Sequence, residues 1–280
     1  MTNLPPLNIT RLMRDYGLHP SKGLGQNYLV DNQALQEIIH TAEIKPDDEV
    51  LEIGPGFGSL TRHLAKAAKM VTAVELDGNL IPVLTSVLES YSNIRLIHGD
   101  IMQVDPGDLM QGRDYLVVAN IPYNITSALV RHVLECSHPP GSMVLTVQKE
   151  VAERICALPG KLSTLALSVQ IYGKPSLHAI IPSTSFHPAP KVDSAILRVD
   201  MYPEPIMPAS LRDTFFQLVK AGFSQKRKTL RNSLSAGLSL PPATIQERLL
   251  QAGIDPMRRA ETLNLTEWET LCRLFQKTKL

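Results

Sequence analysis

The sequence predicts an α/β protein, a doubly wound and mostly parallel sheet followed by a small all-helical C-terminal domain. Three observations point there. Short apolar runs recur between residues 49 and 200 with helical stretches between them, at a spacing of roughly 20–30 residues. A glycine-rich turn, Gly54-Pro55-Gly56-Phe57-Gly58, lies where the first of those runs meets a helix. After the proline-rich break Tyr202-Pro203-Glu204-Pro205-Ile206-Met207-Pro208, only helical spacing remains. The expected domains are therefore 1–203 and 204–280.

Each element has its own signal. Residues 32–44 place apolar side chains at helical spacing, and Lys45-Pro46-Asp47-Asp48 breaks that pattern before the run 49–53. The glycine turn opens a helix over 59–69, and strand 70–75 follows. A helix around 79–90 leads to strand 94–97, then strand 114–119, a helix near 127–136 and a strongly apolar strand 142–148. Helices near 149–157 and 162–172 precede strands around 176–181 and 194–200. Beyond the break, 209–221, 226–236, 242–253 and 266–276 read as short helices, with Pro241-Pro242 and Asp255-Pro256 as turns.

At 280 residues, with 44% hydrophobic and 20% charged side chains, the chain has an ordinary globular composition and room for two cores. Its start lacks an apolar signal core and transit-peptide character, and no stretch approaches the roughly 18 apolar residues of a membrane span. The three cysteines, Cys136, Cys156 and Cys272, are too dispersed for a zinc ribbon and too few for a disulfide framework. A cytoplasmic protein is expected. Net charge is +1, but residues 1–200 carry 16 Lys/Arg against 20 Asp/Glu, whereas 201–280 carry 12 against 7. A basic field is thus confined to the C-terminal part.

A strand that runs into Gly54-x-Gly56-x-Gly58 and a helix is a nucleotide-binding turn, because glycines let the backbone approach a ligand closely. Glu75, 21 residues after Gly54 at the end of the second strand, is placed to accept hydrogen bonds from two ribose hydroxyls. Neither feature separates adenosylmethionine from NAD. Ser59, where a dinucleotide fingerprint wants a third small glycine, and Asp100, at the end of the third strand, favour adenosylmethionine; Asp100 is positioned to accept from an adenine amino group.

Asn120-Ile121-Pro122-Tyr123, directly after the fourth strand, carries the chemistry. The lone pair of an exocyclic aromatic amine is conjugated into its ring, so alkylation benefits from two acceptors that hold both N–H groups. Asn120 Oδ1 and the Ile121 carbonyl can supply them, Pro122 stiffens the loop, and Tyr123 offers a face for the base. A simple turn with a buried tyrosine is the alternative at this position.

This quartet, with Lys22-Gly23-Leu24-Gly25-Gln26-Asn27-Tyr28-Leu29, Phe186-His187-Pro188-Ala189-Pro190-Lys191-Val192-Asp193-Ser194 and Ala221-Gly222-Phe223-Ser224-Gln225-Lys226-Arg227-Lys228-Thr229-Leu230, resembles the bacterial small-subunit ribosomal RNA adenine dimethyltransferases of the KsgA type. The resemblance covers nearly the whole chain. It implies a Rossmann-like class I methyltransferase sheet that moves methyl groups from S-adenosyl-L-methionine, leaving S-adenosyl-L-homocysteine, with no metal. The acceptors would be N6 of two adjacent adenosines in a hairpin loop near the 3′ end of 16S ribosomal RNA, during small-subunit assembly. The resemblance assigns Gln26, Asn27, Leu29, Gly54, Gly56, Glu75, Leu76, Asp100, Ile101 and Asn120 to the cofactor. It also implies that Asn120, Ile121, Pro122 and Tyr123 hold the target base, with Phe186 closing its other face. Gly23, Tyr28 and Ile121 depart mildly from the family pattern, and Ile121 acts through its backbone.

Lys220, Lys226, Arg227, Lys228 and Arg231 have no acidic residue between Thr214 and Gln246 to offset them. With Lys22 they are expected to meet RNA phosphates; the alternative is a solvated helix face. A monomer acting on the assembling small subunit, with no membrane partner, is expected. The competing readings are an erythromycin-resistance type that methylates large-subunit RNA, a mitochondrial transcription-factor type, and a dehydrogenase.

Overall fold

The computed structural model describes residues 4–21 and 23–277, so Lys22 lies outside the described residues. The chain forms two compact units, Met1–Ala152 with Pro175–Met201, and Glu153–Lys174 with Tyr202–Leu280. The first holds the mixed sheet. Its elements in chain order are α1 (Ile9–Asp15), β1 (Tyr28–Leu29), α2 (Asn32–Ala42), β2 (Glu49–Ile53), α3 (Ser59–Ala67), β3 (Met70–Glu75), α4 (Ile81–Leu88), β4 (Ile94–His98), α5 (Pro106–Leu109), β5 (Leu116–Asn120), α6 (Thr126–Leu134) and β6 (Ser142–Gln148). The chain continues with α7 (Lys149–Ile155) and α8 (Thr164–Gln170), the latter in the second unit, and then with β7 (Gly173–Ile181), β8 (Phe186–His187) and β9 (Ser194–Met201).

The seven-stranded sheet has the order β4-β3-β2-β5-β6-β9-β7. Pairs β2–β3, β3–β4, β2–β5 and β5–β6 are parallel, and β9 runs antiparallel to β6 from Ser142↔Asp200 to Gln148↔Ser194. The chain builds outward from β2 through β3 and β4, then returns to lay β5 on the other side of β2. That reversal opens a crevice at the carboxyl ends of β2 and β5, where open α/β sheets bind ligands.

Burial explains why these strands were readable from their residues. Val50, Leu51, Val71, Val117, Val118, Met143 and Val144 are all buried, as expected of parallel strands covered on both faces. Local chemistry sets the helix starts: Asp31 caps α2 by accepting from Ala34 N–H, and Ser163 caps α8 by accepting from Ala166 N–H. On one face α2 and α3 pack Leu35, Ile38 and Leu64 against Val50, Val118 and Val144. On the other, α1 packs Ile9 and Met13 against Phe57, Leu80 and Val83.

The second unit contains α8 and four helices, α9 (Ala209–Phe223), α10 (Leu230–Leu238), α11 (Pro242–Gln251) and α12 (Leu265–Lys277). Trp268 sits at its centre, edge-on to Phe215 with centroids 6.4 Å apart and stacked near Phe223 at 6.3 Å. Two expectations change here. Residues 153–174 were assigned to the first domain, yet they cluster with the C-terminal helices. The reason is hydrogen bonding: Tyr202 N–H donates to Tyr172 O, Ile206 N–H to Ile171 O, and Gly160 N–H to Glu261 O. The expected helix 226–236 instead begins at Leu230, and Lys226, Arg227 and Lys228 lie in the loop between α9 and α10. The Lys228 N–H closes a turn on Gln225 O, and the Leu230 N–H donates outside the helix, to Arg258 O. Among the described residues no helix is long and apolar enough to cross a membrane.

Leu64, fully buried where α3 meets the sheet, tests this packing. Leu64→Ala is expected to cost about 2–5 kcal/mol of unfolding free energy in urea titration, from lost burial and the cavity left behind. A loss below about 1 kcal/mol would contradict the packing described.

Candidate active site

A cleft with about 770 Å³ of space, part of it open to solvent, lies over the ends of β2, β3 and β5. It is lined by Gln26, Asn27, Gly54, Gly56, Glu75, Leu76, Asp100, Ile101, Asn120, Ile121, Pro122 and Tyr123, so most of the residues expected from sequence converge on one volume. Gln26 and Asn27 come from the segment before β1 and the others from the carboxyl ends of parallel strands, although almost a hundred positions separate the first from the last.

One half of the cleft suits a nucleoside. Gly54 and Gly56 have φ of 71° and 60°, the left-handed region that glycine enters without strain. A Cβ on Gly56 would stand 2.8 Å from the Tyr28 ring, so the turn is closed to larger residues from behind as well as by conformation. Glu75, 5% exposed, accepts from Gly56 N–H at 3.1 Å and from Asp77 N–H at 2.8 Å. Burial pushes its carboxyl upward, and these backbone donors oppose the shift. Leu76, 50% exposed, offers the cleft an uncovered apolar side chain. Asp100 caps the short 3₁₀ turn Ile101–Gln103 through Oδ1, accepting from Met102 N–H at 2.9 Å, and it lines the cleft as well. Capping and ligand contact are compatible, since a carboxylate has two oxygens.

The other half is the turn after β5. Asn120 donates from Nδ2 to the Asn27 carbonyl at 3.0 Å, which orients the amide, and the residue lines the cleft. Ile121 lines the cleft and is only 2% exposed. Tyr123 shares a 2.6 Å hydrogen bond with Ser194 Oγ, fixing the ring at the cleft wall, and burial raises its hydroxyl above the ordinary tyrosine value. Ser194, at the start of β9, is a partner that no local pattern in the sequence assigns to Tyr123.

Two expected site residues are not brought to the cleft. In the β1–β8 pair Leu29 lies opposite Phe186, and both enter the core cluster with Leu35, Val118 and Val144; Phe186 is 4% exposed. Directly opposed residues of an antiparallel pair share a face, so one pairing turns both side chains inward. Gln26 reaches the cleft, but its side chain is engaged elsewhere: Oε1 accepts from Ser21 N–H and Nε2 donates to Asp77.

Glu52, the next-to-last residue of β2, carries no local signal in the sequence, because its burial depends on the sheet. It is 1% exposed, its Oε2 has no hydrogen-bond partner, and it lines a small cavity behind the glycine turn together with Gly54 and Asn120. Burial, aided by the nearby charge of Glu75, pushes its carboxyl from 4.5 up to about 8.

In the second unit Lys220, Lys226, Arg227 and Lys228 are exposed. No ion pair engages them among the described residues. Arg231 is half-buried and donates to Gln246 Oε1 at 3.0 Å. Arg258, another cation of this unit, is paired with Glu267.

A family model described as "Ribosomal RNA adenine dimethylase" matches residues 19–277. A "Ribosomal RNA small subunit methyltransferase A" of Dehalococcoides mccartyi is 47% identical over 263 residues, 93% of this chain and 90% of that protein. Among solved structures, a dimethyladenosine transferase from Plasmodium falciparum superposes with a TM-score of 0.78 at 26% identity, covering 90% of this chain and 98% of the other. The 23S rRNA methyltransferase ErmE superposes with a TM-score of 0.72 at 29% identity, covering 89% and 100%.

Glu52 yields a stability prediction with a definite sign. Its folded value is raised, so between the ordinary 4.5 and about 8 the unfolded chain ionises while the folded one stays neutral, and stability falls with rising pH across that window. Glu52→Gln removes this penalty. Urea unfolding should show the variant gaining on the parent from about pH 5 to about pH 8; a constant difference would refute a neutral buried carboxyl.

Proposed function

Because the chain belongs to the ribosomal RNA adenine dimethylase family, we propose that it methylates N6 of two adjacent adenosines in a hairpin loop near the 3′ end of 16S ribosomal RNA. S-Adenosylmethionine, when bound, supplies an electrophilic methyl group on a sulfonium. The residues at the cleft fit that group: an open glycine turn, a carboxylate at Glu75 for ribose hydroxyls, Asp100 for the adenine amine, and the apolar Leu76 and Ile101 flanking it. No metal enters this reading.

The observation that carries the proposal is the anchored amide of Asn120. With Nδ2 committed to Asn27, Oδ1 is the end left to accept an N–H of the target amine. The Ile121 carbonyl accepts the second N–H, and together they draw the nitrogen lone pair out of conjugation toward the methyl group. Pro122 limits the loop's freedom, and Tyr123, steadied by Ser194, presents a ring for the base to stack on. Each methylation exchanges one N–H proton, released to solvent, for the methyl group, so the once-methylated nitrogen keeps one N–H and its lone pair and the same acceptor set serves the second. A base must leave its stack to reach such a cleft, which favours a loop adenosine.

The exposed Lys220, Lys226, Arg227 and Lys228 suit phosphate contacts that position the enzyme without reading sequence. Phe186, buried beside Leu29, acts in this reading by bracing the loop that carries Asn27.

Transfer of labelled methyl groups to unmethylated small and large ribosomal subunits, with nucleoside analysis, tests the whole proposal. Dimethyladenosine from the small subunit is expected; label in the large subunit alone overturns it. Asn120→Ala should slow single-turnover methyl transfer by at least ~100-fold while cofactor binding weakens far less; near-normal turnover removes Asn120 from its role. Replacing Lys226, Arg227 and Lys228 together by Ala should lower subunit affinity and make the slope of log K against log salt shallower by up to about 2–3 units. An unchanged slope would return these residues to a solvated surface.

A further inference from the structure

We propose that Gln26 is a positioning residue for ribose recognition, acting through Asp77 on Glu75 rather than touching the cofactor with its own side chain. The inference rests on Glu75 as the ribose carboxylate and adds to that reading the group that holds it in place.

The hydrogen bonds form one chain across three loops. Ser21 N–H donates to Gln26 Oε1 at 2.8 Å, and Gln26 Nε2 donates to Asp77 Oδ2 at 2.9 Å. Asp77 N–H donates to Glu75 Oε1 at 2.8 Å, and Gly56 N–H donates to Glu75 Oε2 at 3.1 Å. The segment before β1, the end of β3 and the glycine turn are thereby tied together. Asp77 Oδ1 is occupied separately, accepting from Asn79 N–H at 3.0 Å, so Gln26 is the donor that fills the remaining oxygen.

Two physical consequences follow. Pinning the Asp77 side chain holds the backbone N–H that Glu75 accepts, and this sets where the carboxylate stands relative to the cleft. Gln26 also offsets part of the Asp77 charge. That charge, after burial, is among the influences that raise the Glu75 carboxyl, so the amide donor favours the ionised acceptor that two ribose hydroxyls require. The residue after Gln26 is Asn27, whose carbonyl orients Asn120, so one short loop registers both the cofactor half and the target half of the cleft.

The test compares binding of S-adenosylhomocysteine and its 2′-deoxyribose analogue by calorimetry on the full chain. The parent should prefer the ribose form by at least about tenfold, as expected of a hydrogen bond to a charged group. Gln26→Ala should reduce that preference at least about threefold while affinity for the deoxy analogue, the control for an intact cleft, changes less than about threefold. Gln26→Glu is the discriminating variant: it keeps the shape and the acceptor for Ser21 but sets a carboxylate against Asp77. It should lose the preference at least as fully as Gln26→Ala, whereas a packing role would leave it like the parent. If both variants retain the parent's preference, Gln26 does not act on ribose recognition. If the parent itself shows no preference, the ribose role of Glu75 fails and this inference falls with it.

Discussion

The hydrogen bond from Asn120 Nδ2 to the Asn27 carbonyl is the contact on which the site depends. It joins the last residue of β5 to a loop preceding the whole sheet, 93 positions earlier in the chain. For that to happen, β5 must return beside β2, which the strand order accomplishes, and the early loop must be held against the sheet, which the β1–β8 pair and the Gln26–Asp77 link accomplish. An amide free to rotate would offer a donor as readily as an acceptor to an incoming amine. Tied through one N–H of Nδ2, the amide is held in one orientation before any ligand arrives, and in the proposed function its Oδ1 is the acceptor.

Electrostatics are divided along the chain in a way that suits two different ligands. Among the described residues the cleft is lined by Glu75 and Asp100 and by no lysine or arginine, a setting suited to a cation-bearing cofactor and to hydroxyl and amino donors. The excess of basic residues lies beyond position 200, on exposed side chains suited to a polyanion. Buried Glu52 behind the glycine turn is the exception to ordinary charge placement. Neutral at moderate pH, it adds little to the field of the cleft while occupying a place where an ionised group would be costly.

Much of this was legible in the residues themselves. Strands 49–53, 70–75 and 142–148 were read with the boundaries they have, since a strand covered on both faces appears as an uninterrupted apolar run. The glycine turn, Glu75, Asp100 and the Asn120–Tyr123 quartet were also recognisable, because each couples a residue type with a demanding local task at a strand end. The basic loop was read as helix, and the two-residue strands β1 and β8 were not foreseen. Their pairing spans more than 150 positions and leaves no periodic trace in either segment.

By itself, then, the sequence determined the class of sheet and most of its elements and nominated the residues at the strand ends, all of which follow from local hydrophobic period and residue type. Tertiary structure alone decided which way side chains face where distant segments meet. Pairing of Leu29 with Phe186 turned both into the core, pairing of residues 171–172 with 202–206 moved a central segment into the helical unit, and Gln26 found its partner in Asp77. Such outcomes depend on register and on long-range hydrogen bonds, and no window of neighbouring residues contains both partners.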